Sequence, residues 1–154
     1  MNHVMGTFRW KRWTFYVVKN ERGICYVDVK KPDFPAIFSQ EQVMGDIAAF
    51  LDYLHGVKQE IPVSLSIEGG TPFQQKVWQA LLSIPYGATA SYSEVARFIG
   101  MPNGVRAVGS AIGKNPILMA IPCHRVVGKD GSLRGFRSGI DLKRELLLLE
   151  KNRE

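Results

Sequence analysis

The stretch Glu68-Gly69-Gly70-Thr71-Pro72 constrains the fold most, because it reads as the joint between a small α+β lobe and a helical one. Two glycines loosen the backbone, and Thr-Pro then reads as a helix start: Thr71 as N-cap, Pro72 as the first helical residue, where a missing N–H costs nothing. Before this joint, WTFYVVK and GICYVDVK are β-branched and aromatic runs separated by NERG, which predicts a strand hairpin. Ser39 opens a capping-box pattern with Gln42, and Val43, Ile47, Phe50, Leu51 and Leu54 recur at helical spacing until Gly56. IPVSLSI alternates as a further strand would.

A helical lobe starts after the joint. FQQKVWQALLSI follows Pro72, and Ser91 with Glu94 forms a capping box for SYSEVARFI, which Gly100 ends. A third helix runs through GVRAVGSAIG, and DLKRELLLLE closes the chain with Leu142, Leu146, Leu147 and Leu149 expected inward. Two short helices joined by a turn predict a helix-turn-helix. The expected fold is therefore α+β: a small N-terminal α/β lobe with a strand hairpin over residues 1–68, then a mainly helical lobe over 69–154 holding the helix-turn-helix and the active site.

Charge is unequal between the two parts. Residues 1–70 hold 8 Lys+Arg and 8 Asp+Glu, whereas residues 71–154 hold 12 and 6, which accounts for the whole net charge of +6. Localised positive charge suits a phosphate backbone and serves solubility equally well. At 45% hydrophobic and 22% charged the composition is that of a globular domain. No apolar run approaches the roughly 20 residues of a membrane helix, and the start has no signal-like core, so a cytoplasmic protein is expected. The two cysteines, Cys25 and Cys123, then read as free thiols. Cys25, inside a strand, reads as a small hydrophobe.

On the third helix Val105, Val108 and Ile112 share one face, which leaves Arg106, Ala107, Ser110, Ala111 and Lys114 toward the other. A helix that reads bases would present long hydrogen-bonding side chains there. Small residues instead let the backbone come close to a groove, with Arg106 projecting from the helix start. They would also suit packing on another helix.

The chemistry concentrates in AIPCHRVVG. A thiol needs a base to react as thiolate, and His124 adjoins Cys123, yet neighbours on an extended segment point to opposite faces. A bridging water or a turn after Pro122 is required. A carboxylate behind the histidine would hold its tautomer, and Glu150 shares the stripe of Leu146 and Leu147.

PCHRV at 122–126, preceded by RAVGSAIGKNP at 106–116 and followed by GFRSG and LKRELLLLE, closely resembles the O6-alkylguanine-DNA alkyltransferases, or methylated-DNA-protein-cysteine methyltransferases. The likeness covers residues 71–150. It implies irreversible transfer of an alkyl group from O6-alkylguanine, and from O4-alkylthymine, to Cys123, which His124 deprotonates through a water while Glu150 orients the imidazole. It further implies that Tyr92 helps to flip the nucleotide and donates toward guanine N3, and that Arg106 fills the vacated stack. Ala107, Ser110 and Ala111 would face DNA, Asn115 would be the hinge behind the helix-turn-helix, and Arg125 would make an internal ion pair. Val126, Phe136, Arg137 and Ser138 would line the pocket. The implied partner is double-stranded DNA, met in the minor groove by a monomer, with no cofactor. Some relatives hold a structural zinc through N-terminal ligands, and Cys25 with His3 and His55 does not reproduce that set, so no metal is expected.

Three other functions compete. A lesion-recognition protein without repair activity would lack the cysteine; a Cys-His hydrolase leaves the helix-turn-helix and localised charge unexplained; a transcription regulator conflicts with the small outer face of the third helix.

Overall fold

In the computed structural model, which describes residues 2–151, the first strands are β1 (Val4–Trp10), β2 (Trp13–Asn20), β3 (Gly23–Asp28) and β4 (Ile37–Phe38). They form one sheet in the order β3-β2-β1-β4, antiparallel except where β4 joins β1. The hairpin expected around NERG is β2–β3. The strand β1, which the sequence pattern does not announce, pairs with β2 along its whole length. Cys25 is the extra residue of a bulge, between pairs Val18↔Tyr26 and Lys19↔Ile24, and is half-buried with its thiol 3.6 Å from the Val18 carbonyl.

Helix α1 (Gln40–Leu54) packs on this sheet through Phe50, whose ring stacks on Phe8, and Phe8 stacks in turn on Phe15. Burying Phe50 fully contributes roughly 2–3 kcal/mol. The helix approaches so closely that a Cβ on Gly6 would lie 2.4 Å from a Val43 methyl, so only glycine fits there.

Three local expectations fail in this unit. The Ser39 side chain does not cap α1; the helix start is fixed by Gln40, whose amide accepts from Thr7 N–H and donates to Thr7 C=O, as a neighbouring strand would. Leu51 is only half-buried, and Tyr53 takes the interior position. IPVSLSI is no strand: Leu65 alone bridges to Ile24, because Ile24 bonds Ser64 and Ser66 and the pairing stops there.

The chain divides into two compact units after Glu68, with Pro116–Leu118 grouped with the first because they flank Val27 through two backbone hydrogen bonds. The second unit contains α2 (Pro72–Leu81), β5 (Ala90–Ser91), α3 (Tyr92–Phe98), α4 (Val105–Ile112), β6 (Val126–Val127) and α5 (Ile140–Lys151), with β5 and β6 parallel. Both α2 and α3 start in complete capping boxes, Thr71 with Gln74 and Ser91 with Glu94. Gly100, at φ 79°, turns the chain out of α3 in the left-handed region. No helix among the described residues is long and apolar enough to cross a membrane.

Candidate active site

Pro122 follows a turn at Met119–Ala120 and the single bridge residue Ile121, and Cys123–Arg125 form a single 3-10 turn. The turn removes the difficulty of the adjacent pair, because Cys123 and His124 no longer alternate as strand neighbours. Cys123 is 4% exposed and His124 is fully buried. Asn115, itself buried, donates from Nδ2 to the Ile121 carbonyl at 2.8 Å and to the Cys123 sulfur at 3.0 Å. One amide therefore fixes both the backbone before the cysteine and the thiol itself.

Glu150 comes from the last turn of α5 and is excluded from water. Its Oε1 accepts from Arg125 Nε at 2.9 Å and Gly87 N–H at 3.1 Å; its Oε2 accepts from Arg125 Nη2 at 2.9 Å and lies 2.7 Å from His124 Nε2. An ionised carboxylate has about four acceptor positions, and all are taken. Since both oxygens only accept, the histidine must donate from Nε2, which makes Nδ1 the basic nitrogen of the neutral ring. Arg125, with Nη1 also on the Ile84 carbonyl at 2.7 Å, balances the buried carboxylate and makes the internal ion pair expected of it.

Burial holds His124 below its ordinary pKa, with the charges of Arg125 and Lys143 acting in the same direction and Glu150 opposing. The ring is accordingly neutral and able to take a proton. Burial likewise pushes the Cys123 thiol up to about 11, against the pull of the Asn115 hydrogen bond and the charges of Lys143 and Arg137. At rest the pair is a neutral thiol beside a neutral imidazole, so any reaction at sulfur must move the proton in the same event.

Lys143 was not anticipated. It is 1% exposed, pairs with no carboxylate among the described residues, and donates from Nζ to the Arg134 carbonyl at 2.9 Å. The same carbonyl accepts the Tyr92 hydroxyl at 3.1 Å. The ammonium lies 5.9 Å from the Tyr92 ring centre and 5.8 Å from that of Phe136. Burial lowers its pKa to about 8, with the negative charge of an ionised Cys123 opposing. A sequence signal existed: Lys143 stands seven residues before Glu150, on the same helical stripe. Tyr92 is held above its ordinary pKa, first by burial and then by the Cys123 charge, so it keeps its proton and acts as a donor.

The other expected residues fall as follows. Val126 is buried in β6, Phe136 and Ser138 are half-buried, and Arg137 is exposed but donates from Nη2 to the Asn115 carbonyl at 2.8 Å. On α4, Arg106, Ala107 and Ser110 are exposed. Ala111 is not on that outer face: it is 2% exposed, and its carbonyl accepts the Trp78 indole N–H at 2.9 Å because α2 packs across the end of α4. On α5, Leu142 and Leu146 are buried, but Leu147 and Leu149 are only half-buried, displaced from the interior by Lys143 and Glu150. Among the described residues no group of three or more His, Cys, Asp or Glu side chains is arranged to hold a metal ion.

A family model described as the DNA-binding domain of 6-O-methylguanine DNA methyltransferase matches residues 72–152. The inducible methylated-DNA–protein-cysteine methyltransferase of Bacillus subtilis is 40% identical, with 92% of this chain and 86% of that protein covered. The methylated-DNA–protein-cysteine methyltransferase of Mycobacterium tuberculosis is 54% identical over 79% of this chain and 70% of that protein. Among solved structures, OGT of Mycobacterium tuberculosis in complex with DNA matches with a TM-score of 0.90 at 37% identity, covering 99% of this chain and 94% of that one.

Proposed function

From the premise that this chain belongs to the methylated-DNA–protein-cysteine methyltransferase family, we infer how its own residues carry out the family's reaction. The activity is direct DNA repair by transfer of an alkyl group from O6-alkylguanine in DNA to a cysteine of the protein. The acceptor is Cys123.

The observation that carries this reading is the filled carboxylate of Glu150, which fixes the His124 tautomer and leaves Nδ1 to act as base. A water bridges the thiol to Nδ1. As sulfur attacks the alkyl carbon, its proton passes through that water to His124, and Glu150 offsets the imidazolium that forms. The S–C bond forms while the C–O6 bond breaks, and the electron pair of the broken bond leaves with guanine. The Tyr92 hydroxyl, released from the Arg134 carbonyl, meets the charge on the departing base at N3. The product is a thioether, a poor leaving group, so each protein molecule reacts once. None of these steps draws on a cofactor.

The alkylated atom is inaccessible inside a duplex, so the base must leave the stack. The exposed face of α4 supports approach to the minor groove: Ala107 and Ser110 are small, and Arg106 near the helix start is long enough to occupy the vacated position. Asn115 is the hinge that ties the end of the helix-turn-helix to the cysteine. Val126, Phe136, Arg137 and Ser138 line the pocket for the flipped base. The protein acts as a monomer in the cytoplasm, where its two free thiols stay reduced.

The test is intact-protein mass spectrometry after incubation with duplex DNA containing one O6-methylguanine. The expected result is a gain of one methyl group per protein, mapped to Cys123. Continued turnover with excess substrate, or methylation mapped to Cys25, would overturn the reading.

A further inference from the structure

The two-residue turn between β1 and β2 belongs to the first unit and takes no part in alkyl transfer. Trp10 and Trp13 close it as a cross-strand pair, with ring centres 5.9 Å apart and 24° between planes. Lys11 and Arg12 form the turn and are exposed. The Lys11 ammonium lies 5.3 Å from the Trp10 ring centre, and the Arg12 guanidinium lies 4.6 Å from that of Trp13. Arg9, also exposed, sits one residue earlier, on the opposite sheet face from Trp10 by strand alternation.

Backbone conformation makes this choice of residues informative. Lys11 has φ 53°, in the left-handed region where glycine, asparagine or aspartate would form the turn at lower cost. A lysine there departs from local preference, and such departures concentrate where function imposes them. The aromatic pair beneath gives both cations a rigid seat, so ordering them on a ligand loses less side-chain entropy than ordering free surface lysines. Several acids of the unit are placed at the other end of β2: Asp46 pairs with Lys19, Glu68 contacts Arg22 and Asn20, and Glu21 follows Asn20. The unit is neutral overall, yet its hairpin tip is cationic.

We propose that the hairpin tip formed by Arg9, Lys11 and Arg12 is a second DNA contact that binds the phosphate backbone. The inference rests on DNA being the partner. The three cations meet phosphate oxygens, and the Trp10–Trp13 pair holds Lys11 and Arg12 in place for that contact.

The test replaces the turn by better turn formers, Lys11→Gly with Arg12→Asn, in the full chain. Binding to an undamaged duplex of about 20 base pairs is measured from roughly 50 to 200 mM salt. Because the variant leaves two phosphates unneutralised, the slope of log K against log salt should shrink by about 1.8, while the melting temperature holds or rises. An unchanged slope, with the unsubstituted protein binding normally, overturns the contact. An equal change in Lys30→Gln with Lys31→Gln assigns the effect to net charge and also overturns it. Loss of binding to phosphatidylserine vesicles instead of DNA would make the tip a membrane surface. Failure of the unsubstituted protein to bind duplex would overturn DNA as the partner, and this contact with it.

Discussion

His124 Nε2 and Glu150 Oε2 stand 2.7 Å apart across 26 residues of sequence, with the histidine side chain 0% and the glutamate 1% exposed. Two groups so far from water hold one protonation pattern, and that pattern selects which imidazole nitrogen is available to the thiol. Arg125 makes the arrangement possible, since a buried carboxylate without a cation would give up its charge.

Glu150→Gln keeps the shape but removes the charge opposite Arg125 and turns an NH2 group toward two of the four donors. Breaking a buried pair in this way should destabilise the protein by about 3 kcal/mol. It should also slow alkyl transfer by roughly a hundredfold, because His124 loses the neighbour that raises its basicity. Acid should expose the same group. The folded His124 is held below its ordinary value of 6.5, so the unfolded chain binds the extra proton first and stability falls as pH drops below about 6.5. Denaturant melts at several pH values, with the pH dependence of Cys123 alkylation, check both effects. A folded variant with an unshifted profile and normal rate would remove Glu150 from the mechanism.

Lys143→Met should separate stability from activity. The folded lysine titrates near 8 against an ordinary 10.5, so its burial opposes folding at neutral pH, and this cost is relieved as pH rises from about 8 to 10.5. The variant should therefore melt above the unsubstituted protein at pH 7, with the advantage shrinking toward pH 10. Alkyl transfer should slow most below about pH 8, where the Arg134 carbonyl loses its lysine donor and the forming thiolate its nearby charge, and the difference should narrow as the lysine of the unsubstituted protein loses its own proton. If transfer is undiminished, Lys143 serves packing alone.

Arg106→Ala should divide duplex repair from chemistry at the thiol. Its side chain is exposed near the start of α4 and has no role in the Cys123–His124–Glu150 arrangement. Repair of O6-methylguanine in duplex DNA should fall by at least tenfold, while reaction with the free O6-alkylguanine base stays near its original rate. Equal losses on both substrates would assign Arg106 to the fold.

Local rules made much of the architecture legible. Thr71-Pro72 and Ser91-Glu94 start helices because each satisfies its orphan N–H groups within one turn, a condition met by neighbours in sequence. The β2–β3 hairpin follows from strand formers on both sides of a short turn, and the motif around Cys123 named its chemistry. Ser39 shows the limit: its capping pattern is present, but Gln40 found a better partner in β1, which lies 33 residues away.

What the sequence determined by itself was whatever depends on residues a few positions apart: the starts of α2 and α3, the β2–β3 hairpin, and the adjacency of a thiol and an imidazole at Cys123 and His124. Tertiary structure alone decided which side chains were taken out of water together. Ala111 turned inward because α2 crosses it, Lys143 displaced leucines from the interior of α5, and the four donors on Glu150 converged from Gly87, His124 and Arg125. Helical spacing can place a residue on a stripe, but not say which stripe faces a charge, because that depends on the energy of burying polar groups against specific partners elsewhere in the chain.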